Sequence, residues 1–390
     1  MRELVRRIDA ATPPDRDRAV DALRALAILG VVLGHWLVTA LVADSGTLRA
    51  VSPLQQMPEL APVSWTFQTL AVFFFVGGQV AASGYASTRA RGTTYGQWLR
   101  ARLARLFRPV AAVLVVWTAA AVALFAAGVG YDTVHALLKL VLSPLWFLLV
   151  FTALTAATPL LARVHPLWPL AVVLYVDLFR FGLDGPAALG WINVAAGWMV
   201  PYCLGGLRAR GGLRSRTTGL VLLTGGAAAA TAALVLCAGY PASMVGVPGA
   251  AVSNLNPPTL AAVTFGLAQC GAALLLLGPL RRVLARPAAW AAVALLNLYA
   301  MTVFLWHQTA MIAVTATGLL AGRPLSGLHT VPDGADWILA RLAWLPVFAG
   351  ALLVCWAAFR TYEQGGGRTR GGGRVVRVHR AGSGAVVERA

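Results

Sequence analysis

Runs of about twenty apolar residues recur along the whole chain, the length a helix needs to cross a bilayer's hydrocarbon. No other feature constrains the fold as much. In hydrocarbon every backbone N–H and C=O must be paired inside the protein, and a single run of this length pairs its own only as a helix. The runs lie near 20–42, 63–84, 110–129, 140–161, 167–182, 188–207, 218–238, 259–279, 290–320 and 337–358. They predict an all-α polytopic membrane protein of about ten transmembrane helices in one bundle. The mean hydropathy of +0.72 agrees. So does a charged share of 12%, against about 25% in soluble domains. The ninth run is long and carries Asn297 and Tyr299, so a tilted or broken helix is expected there.

A net charge of +18 invites a nucleic-acid reading, but its distribution argues against one. Arginines gather at Arg2 to Arg18, Arg89 to Arg108, Arg163, Arg208 to Arg216, Arg281 to Arg286 and in the tail. These are the alternate loops, as the positive-inside rule requires, and no aromatic-rich basic patch accompanies them. Both termini are therefore expected to be cytoplasmic, in a bacterial inner (plasma) membrane. The Arg-, Ala- and Gly-rich composition fits a high-GC genome. Cys203, Cys237, Cys270 and Cys355 lie in or beside apolar runs, with no spacing for a disulfide framework or a metal site. The expected organisation is a cytoplasmic segment over 1–18, a membrane domain over 19–360 and a disordered basic tail over 361–390.

The first run, VDALRALAILGVVLGHW from Val20 to Trp36, carries Asp21, Arg24 and His35. Ionisable groups inside a span are costly and face a protein interior or a water-filled cavity. Arg24 and His35 stand about three turns apart, within roughly 20° of the same helical direction and about 16 Å along the axis. One inward face thus holds an arginine near the mouth and a histidine deeper in. Histidine suits proton transfer near neutral pH; a core histidine bonded to a neighbouring helix is the plainer reading.

That Asp-x-x-Arg…His pattern resembles the acyltransferase 3 family of integral membrane acyltransferases. FFFVGG at 73–78, RARLARLFRP at 100–109, LWFL at 145–148 and FLWH at 304–307 resemble further elements of the family, in the same order. The resemblance covers roughly residues 17 to 358 and implies a membrane O-acyltransferase. The implied donor is acyl-CoA, a substrate rather than a permanently bound cofactor, and the implied acyl group is acetyl or another short chain. The implied acceptor is a hydroxyl of a carbohydrate, lipid or related molecule. It also implies His35 as the base, Arg24 as its partner in donor binding, and Asp21 as a group that pairs with Arg24 or orients a neighbour.

Arg102, Arg105 and Arg108 share a helical stripe whose guanidinium groups suit the phosphates of coenzyme A. An anchor on lipid headgroups explains the same stripe. His307, Trp146 and Gln79 are further candidate site residues. The family's Ser-Gly at the second span is Gly77-Gly78 here, which leaves Gln79 or a water to supply any missing hydroxyl. In the long loop before the eighth run, Ser253, Asn254 and Asn256 are candidates for the acceptor-facing surface, although turn chemistry explains them equally well. A different reading is a proton-coupled transporter or exporter of a polar or lipid-linked solute, with Asp21, Arg24, His35 and Asp177 as its relay.

Overall fold

The computed structural model describes residues 2–14, 16–44, 46–213 and 217–364. A short helix α1 (Arg2–Ala10) precedes α2 (Arg18–Val38), α3 (Leu70–Ala90) and α4 (Tyr95–Ala126). Then come α5 (Tyr131–Leu142), α6 (Leu145–Ala156), α7 (Leu167–Asp177), α8 (Ile192–Ala209) and α9 (Thr217–Cys237). The last four are α10 (Leu260–Leu284), α11 (Pro287–Leu298), α12 (Ala300–Gly318) and α13 (Ala335–Gln364). Nine segments among the described residues are long and apolar enough to cross a membrane, with α5 and α6 counted as one. The protein is a multi-pass membrane protein.

Side-chain ties sort the helix ends into two groups. At the basic end Asp17 caps α2, accepting from the Ala19 N–H at 3.2 Å and from Arg281 near the end of α10 at 2.7 Å. Burial raises the Asp17 pKa, but the Arg281 bond and charge outweigh it and hold the carboxyl below its ordinary range. Tyr95 at the start of α4 donates to the Ala156 carbonyl at the end of α6, and Tyr299 packs edge-on against Trp356 near the end of α13. At the opposite end an antiparallel hairpin, β1 (Ala40–Asp44) and β2 (Thr47–Val51), bonds to His329 through Ala43. We call this the hairpin end. There Trp65 and Gln68 donate to the carbonyls of Ala242 and Met244, at 2.8 and 2.9 Å.

The same ties resolve the fifth expected span. It is short: α7 continues only as a single π-type stretch, Leu178–Gly182. Yet it starts beyond the Ala156 end and delivers Asp177 to the hairpin end. There the carboxylate accepts from the Leu260 N–H at 2.6 Å, Asn193 at 2.9 Å and Tyr240 at 3.1 Å. This passage joins the nine longer ones as a tenth, and α2 starts at the same end where α13 finishes.

Two features depart from the sequence reading in detail, and one expected break is present. The helix expected from 110 begins at Tyr95, because Thr94 and Gln97 form a reciprocal capping box; the arginine stripe therefore sits on an extension of the span. The ninth run breaks at Tyr299, between α11 and α12, in line with the tilted or broken helix expected there. The hairpin had no clear signal in its mixed sequence. Of the expected disordered tail, residues 365–390 lie outside the described residues, as do Arg214 and Arg216.

The closest helix packing joins α3 to α8. A Cβ on Gly78 would collide with the Tyr202 carbonyl oxygen, and one on Gly205 with the Phe75 carbonyl oxygen. Small residues let backbones approach where lipid supplies no hydrophobic drive between helices. Because both obstacles are backbone, no side-chain rotation relieves them. Gly78→Ala and Gly205→Ala are each expected to destabilise by at least the ~1–3 kcal/mol of an overpacked core. Thermal unfolding in detergent checks this; wild-type melting of either variant would mean that the two helices are not in backbone contact.

Candidate active site

α2 presents its ionisable residues in order from the basic end inward. Asp21 accepts from Arg16 Nε at 2.6 Å and is tied to the N-terminal segment. His35 sits half-buried near the other end of the helix, with its ring centroid 5.0 Å from that of His307 on α12 and the planes at 42°. The two residues that the sequence placed in separate motifs thus form a pair. Trp36, next to His35, donates its indole N–H to the His307 carbonyl at 2.9 Å, which fixes α2 against α12 at this level. His307 Nδ1 faces the Phe304 carbonyl. A carbonyl only accepts, so Nδ1 carries the proton and Nε2 keeps a lone pair. That Nε2 is buried and has no protein partner among the described residues.

A cavity of about 1090 Å³ opens at the basic end, bounded by α2, α3, α4, α6, α11 and the N-terminal segment. This is just above the ~300–1,000 Å³ span of common ligand pockets. Its described lining contains five arginines, Arg16, Arg24, Arg91, Arg102 and Arg105, and no carboxylate. Arg102 is placed firmly: Nη2 donates to the Val80 carbonyl at 3.1 Å, and the guanidinium lies 5.0 Å from the Trp98 ring. A Cβ on Gly84 would collide with the same guanidinium, so the glycine makes room for it. Arg108, the third member of the predicted stripe, is exposed and does not line the cavity.

The cavity's deep end is apolar, formed by Phe73, Leu106, Phe151 and Met301. Behind it the rings run in contact: Phe73 to Phe147 at 5.0 Å, Phe147 to Phe304 at 5.2 Å and Phe304 to His307 at 6.0 Å. Met301 lies about 9 Å along α12 from His307. An aromatic wall therefore separates an arginine-lined cavity from the histidine pair.

The acyltransferase 3 family model, described as an acyltransferase domain, matches residues 17–360. The chain belongs to the acyltransferase 3 family. It is a membrane acyltransferase, and the match runs from the cap of α2 into α13. No curated protein and no solved structure gives a significant match.

Not every expected residue lies at this acyltransferase's cavity or histidine pair. Asn254 is fully buried and spends its amide on the loop, donating to Pro241 and Ser243 carbonyls and accepting from Thr259. Ser253 likewise accepts the N–H groups of Leu255 and Asn256. Turn chemistry accounts for both, while Asn256 is exposed at the hairpin end. Trp146 packs against Trp198, with ring centroids 6.1 Å apart. Gln79 has a buried, unpartnered Oε1 but does not line the cavity. Gly77 does line it, and the Phe151 ring occupies the space a serine side chain would take there. The relay expected of a transporter gains no support, because Asp21 and Asp177 are engaged at opposite ends of the bundle.

One residue of consequence escaped the sequence reading. Arg341 of α13 is 1% exposed. Its guanidinium donates to three carbonyls, of Trp36 at 2.7 Å, Thr39 at 2.6 Å and Gly327 at 2.8 Å. The Phe348 ring stacks 4.6 Å away. The rule that picked out the first span, an ionisable residue within a hydrophobic run, applies equally to Arg341. Arg341→Met strands three buried carbonyls and is expected to destabilise by at least ~1–3 kcal/mol. Arg341→Lys, lacking the fork, recovers only part of the loss. Thermal melts of the two variants in detergent check this; a methionine variant as stable as wild type would contradict it.

Proposed function

We propose that this acyltransferase takes its acyl group from acyl-CoA at the basic end and transfers it to a hydroxyl of a carbohydrate or lipid acceptor. The observation that carries this reading is the cavity: five arginines and no described carboxylate at its mouth, and an apolar floor one aromatic layer from a histidine pair. Guanidinium groups bind phosphates through paired N–H donors. Several of them around one cavity suit the several phosphates of coenzyme A. The thioester arm then descends along α3 toward Phe73 and Phe151. The excess of arginine at this end makes it the cytoplasmic face by the positive-inside rule, with both termini on that side of a plasma membrane.

In the transfer, the acceptor oxygen attacks the thioester carbonyl carbon and the C–S bond breaks. The hydroxyl proton passes to His35 and from there to the departing thiolate. His307, held by Phe304 and Trp36, keeps His35 in place and offers its Nε2 lone pair to the same proton. Two imidazoles at this separation do not both hold a positive charge easily, so the pair takes up one proton at a time. For the thioester to meet His35, the Phe304 ring, which lies between Phe147 and His307, must swing aside.

Donor binding and chemistry are thereby assigned to different residues. Arg102→Gln is expected to weaken coenzyme A binding by about tenfold or more, the ~1.4 kcal/mol of one charge-assisted contact. His35→Ala is expected to leave that affinity within about twofold and to reduce transfer by ~10²–10⁴-fold. Calorimetry on detergent-purified protein measures the first, and thioester consumption in membranes supplying native acceptors measures the second. Transfer surviving His35→Ala at near wild-type rate removes the base, and coenzyme A binding untouched by Arg102→Gln removes the donor site.

A further inference from the structure

The deep end of the cavity is closed by one side chain against a glycine. Phe151, on α6, lies edge-on against the backbone of Gly77, on α3. A Cβ at residue 77 would collide with its Cε2 and come within 2.9 Å of its Cζ. The two residues are complementary: the phenyl ring fits there because residue 77 has no side chain. On its other sides the ring is packed by Phe73 at 5.2 Å, Phe74 at 5.9 Å, Phe147 at 6.2 Å and Tyr202 at 6.4 Å. Phe74 and Tyr202 are themselves buried. The ring thus has little room to retreat, while its free edge faces the cavity. Leu106 and Met301 also line this end of the cavity.

We propose that Phe151, seated on Gly77, sets the length of the acyl chain this enzyme accepts by blocking the space into which a longer chain would extend. The inference rests on the donor reading given above and adds a specificity-determining residue to it. With the phosphates held at the arginines, the arm brings the acyl group to the level of Gly77. A two- or three-carbon acyl group ends before the ring, whereas each further methylene must displace a phenyl that is packed on all other sides. Interiors packed at this density resist insertion of even one methylene. Truncating the ring would leave an apolar space lined by Phe73, Phe147 and Tyr202, which suits an alkyl chain.

Binding of stable thioether analogues tests this without knowledge of the acceptor. S-ethyl-, S-butyl- and S-octyl-coenzyme A are titrated by calorimetry into full-length protein in detergent. Wild type is expected to bind the ethyl form about tenfold or more tightly than the octyl form, in line with what one or a few methylenes decide in a shaped pocket. In Phe151→Ala the octyl form is expected to gain about tenfold while the ethyl form changes by less than about threefold. Gly77→Ala, which drives the ring into the cavity, is expected to weaken the butyl form more than the ethyl form. An ethyl-to-octyl ratio in Phe151→Ala equal to that of wild type overturns the assignment of Phe151 while leaving the donor site standing. Failure of wild type to bind any of the three analogues removes the donor reading, and this inference with it. Should Phe151→Ala not fold, Phe151→Leu opens less space and must still shift the ratio in the same direction; an unshifted ratio counts against the proposal.

Discussion

A guanidinium sealed in an apolar bundle governs the arrangement of everything near the histidines. Arg341 answers three backbone carbonyls, two of them at the end of α2, where the last carbonyls of a helix have no intrahelical partner. The negative end of the α2 dipole favours a cation at that position. The third carbonyl belongs to Gly327, in the loop before α13. The arginine thereby joins the first and last long helices at the hairpin end. Trp36 carries the tie onward, accepting from Arg341 through its carbonyl and donating through its indole to His307. Removing the cation would leave carbonyls without donors in a region from which water is excluded. The depth of His35 relative to His307 depends on this clamp.

At the other end cations line a cavity instead of being sealed in the bundle. Arg102, Arg24 and Arg91 come together there, and an anionic occupant would relieve the repulsion among their like charges. Arg16 belongs to the same wall, although Asp21 holds it. The N-terminal segment completes the mouth through Thr12, whose hydroxyl accepts from the Trp290 indole at 2.7 Å. The bundle is polarised in this way: a cationic mouth, an aromatic partition and a histidine pair fixed from the far side. Each part is assembled from helices distant in sequence, and the bundle has to form before any of it exists.

The helical architecture was legible because hydrocarbon permits few alternatives, and apolar runs mark themselves. The break at Tyr299 was legible too, from two polar side chains in an overlong run. His35 and Arg24 could be placed on one face from helical periodicity alone, since both lie on a single helix. Their partners could not. Nothing in a linear sequence says that α12 brings the His307 ring to 5.0 Å from that of His35, or that Arg102 and Arg105 line the cavity while Arg108 does not. Those facts depend on helix rotation, which is set by contacts such as Gly78 on Tyr202. Asn254 had two readings in the sequence, and the plainer one accounts for it. A polar residue in a long loop suggested a ligand surface, but its amide is consumed by the loop's own carbonyls. Arg341 was missed even though the rule that exposed the first span applied to it.

The proposed transfer requires one route from the arginine-lined cavity to the histidine pair across the aromatic wall. Photolabelling tests it directly, using coenzyme A that carries a short diazirine-bearing acyl group, followed by peptide mapping of the purified protein. Adducts are expected on the segments carrying Phe73, Phe151 and Met301, suppressed by excess coenzyme A. Adducts confined to the loop over 241–258 at the hairpin end, or labelling that excess coenzyme A does not suppress, would contradict it.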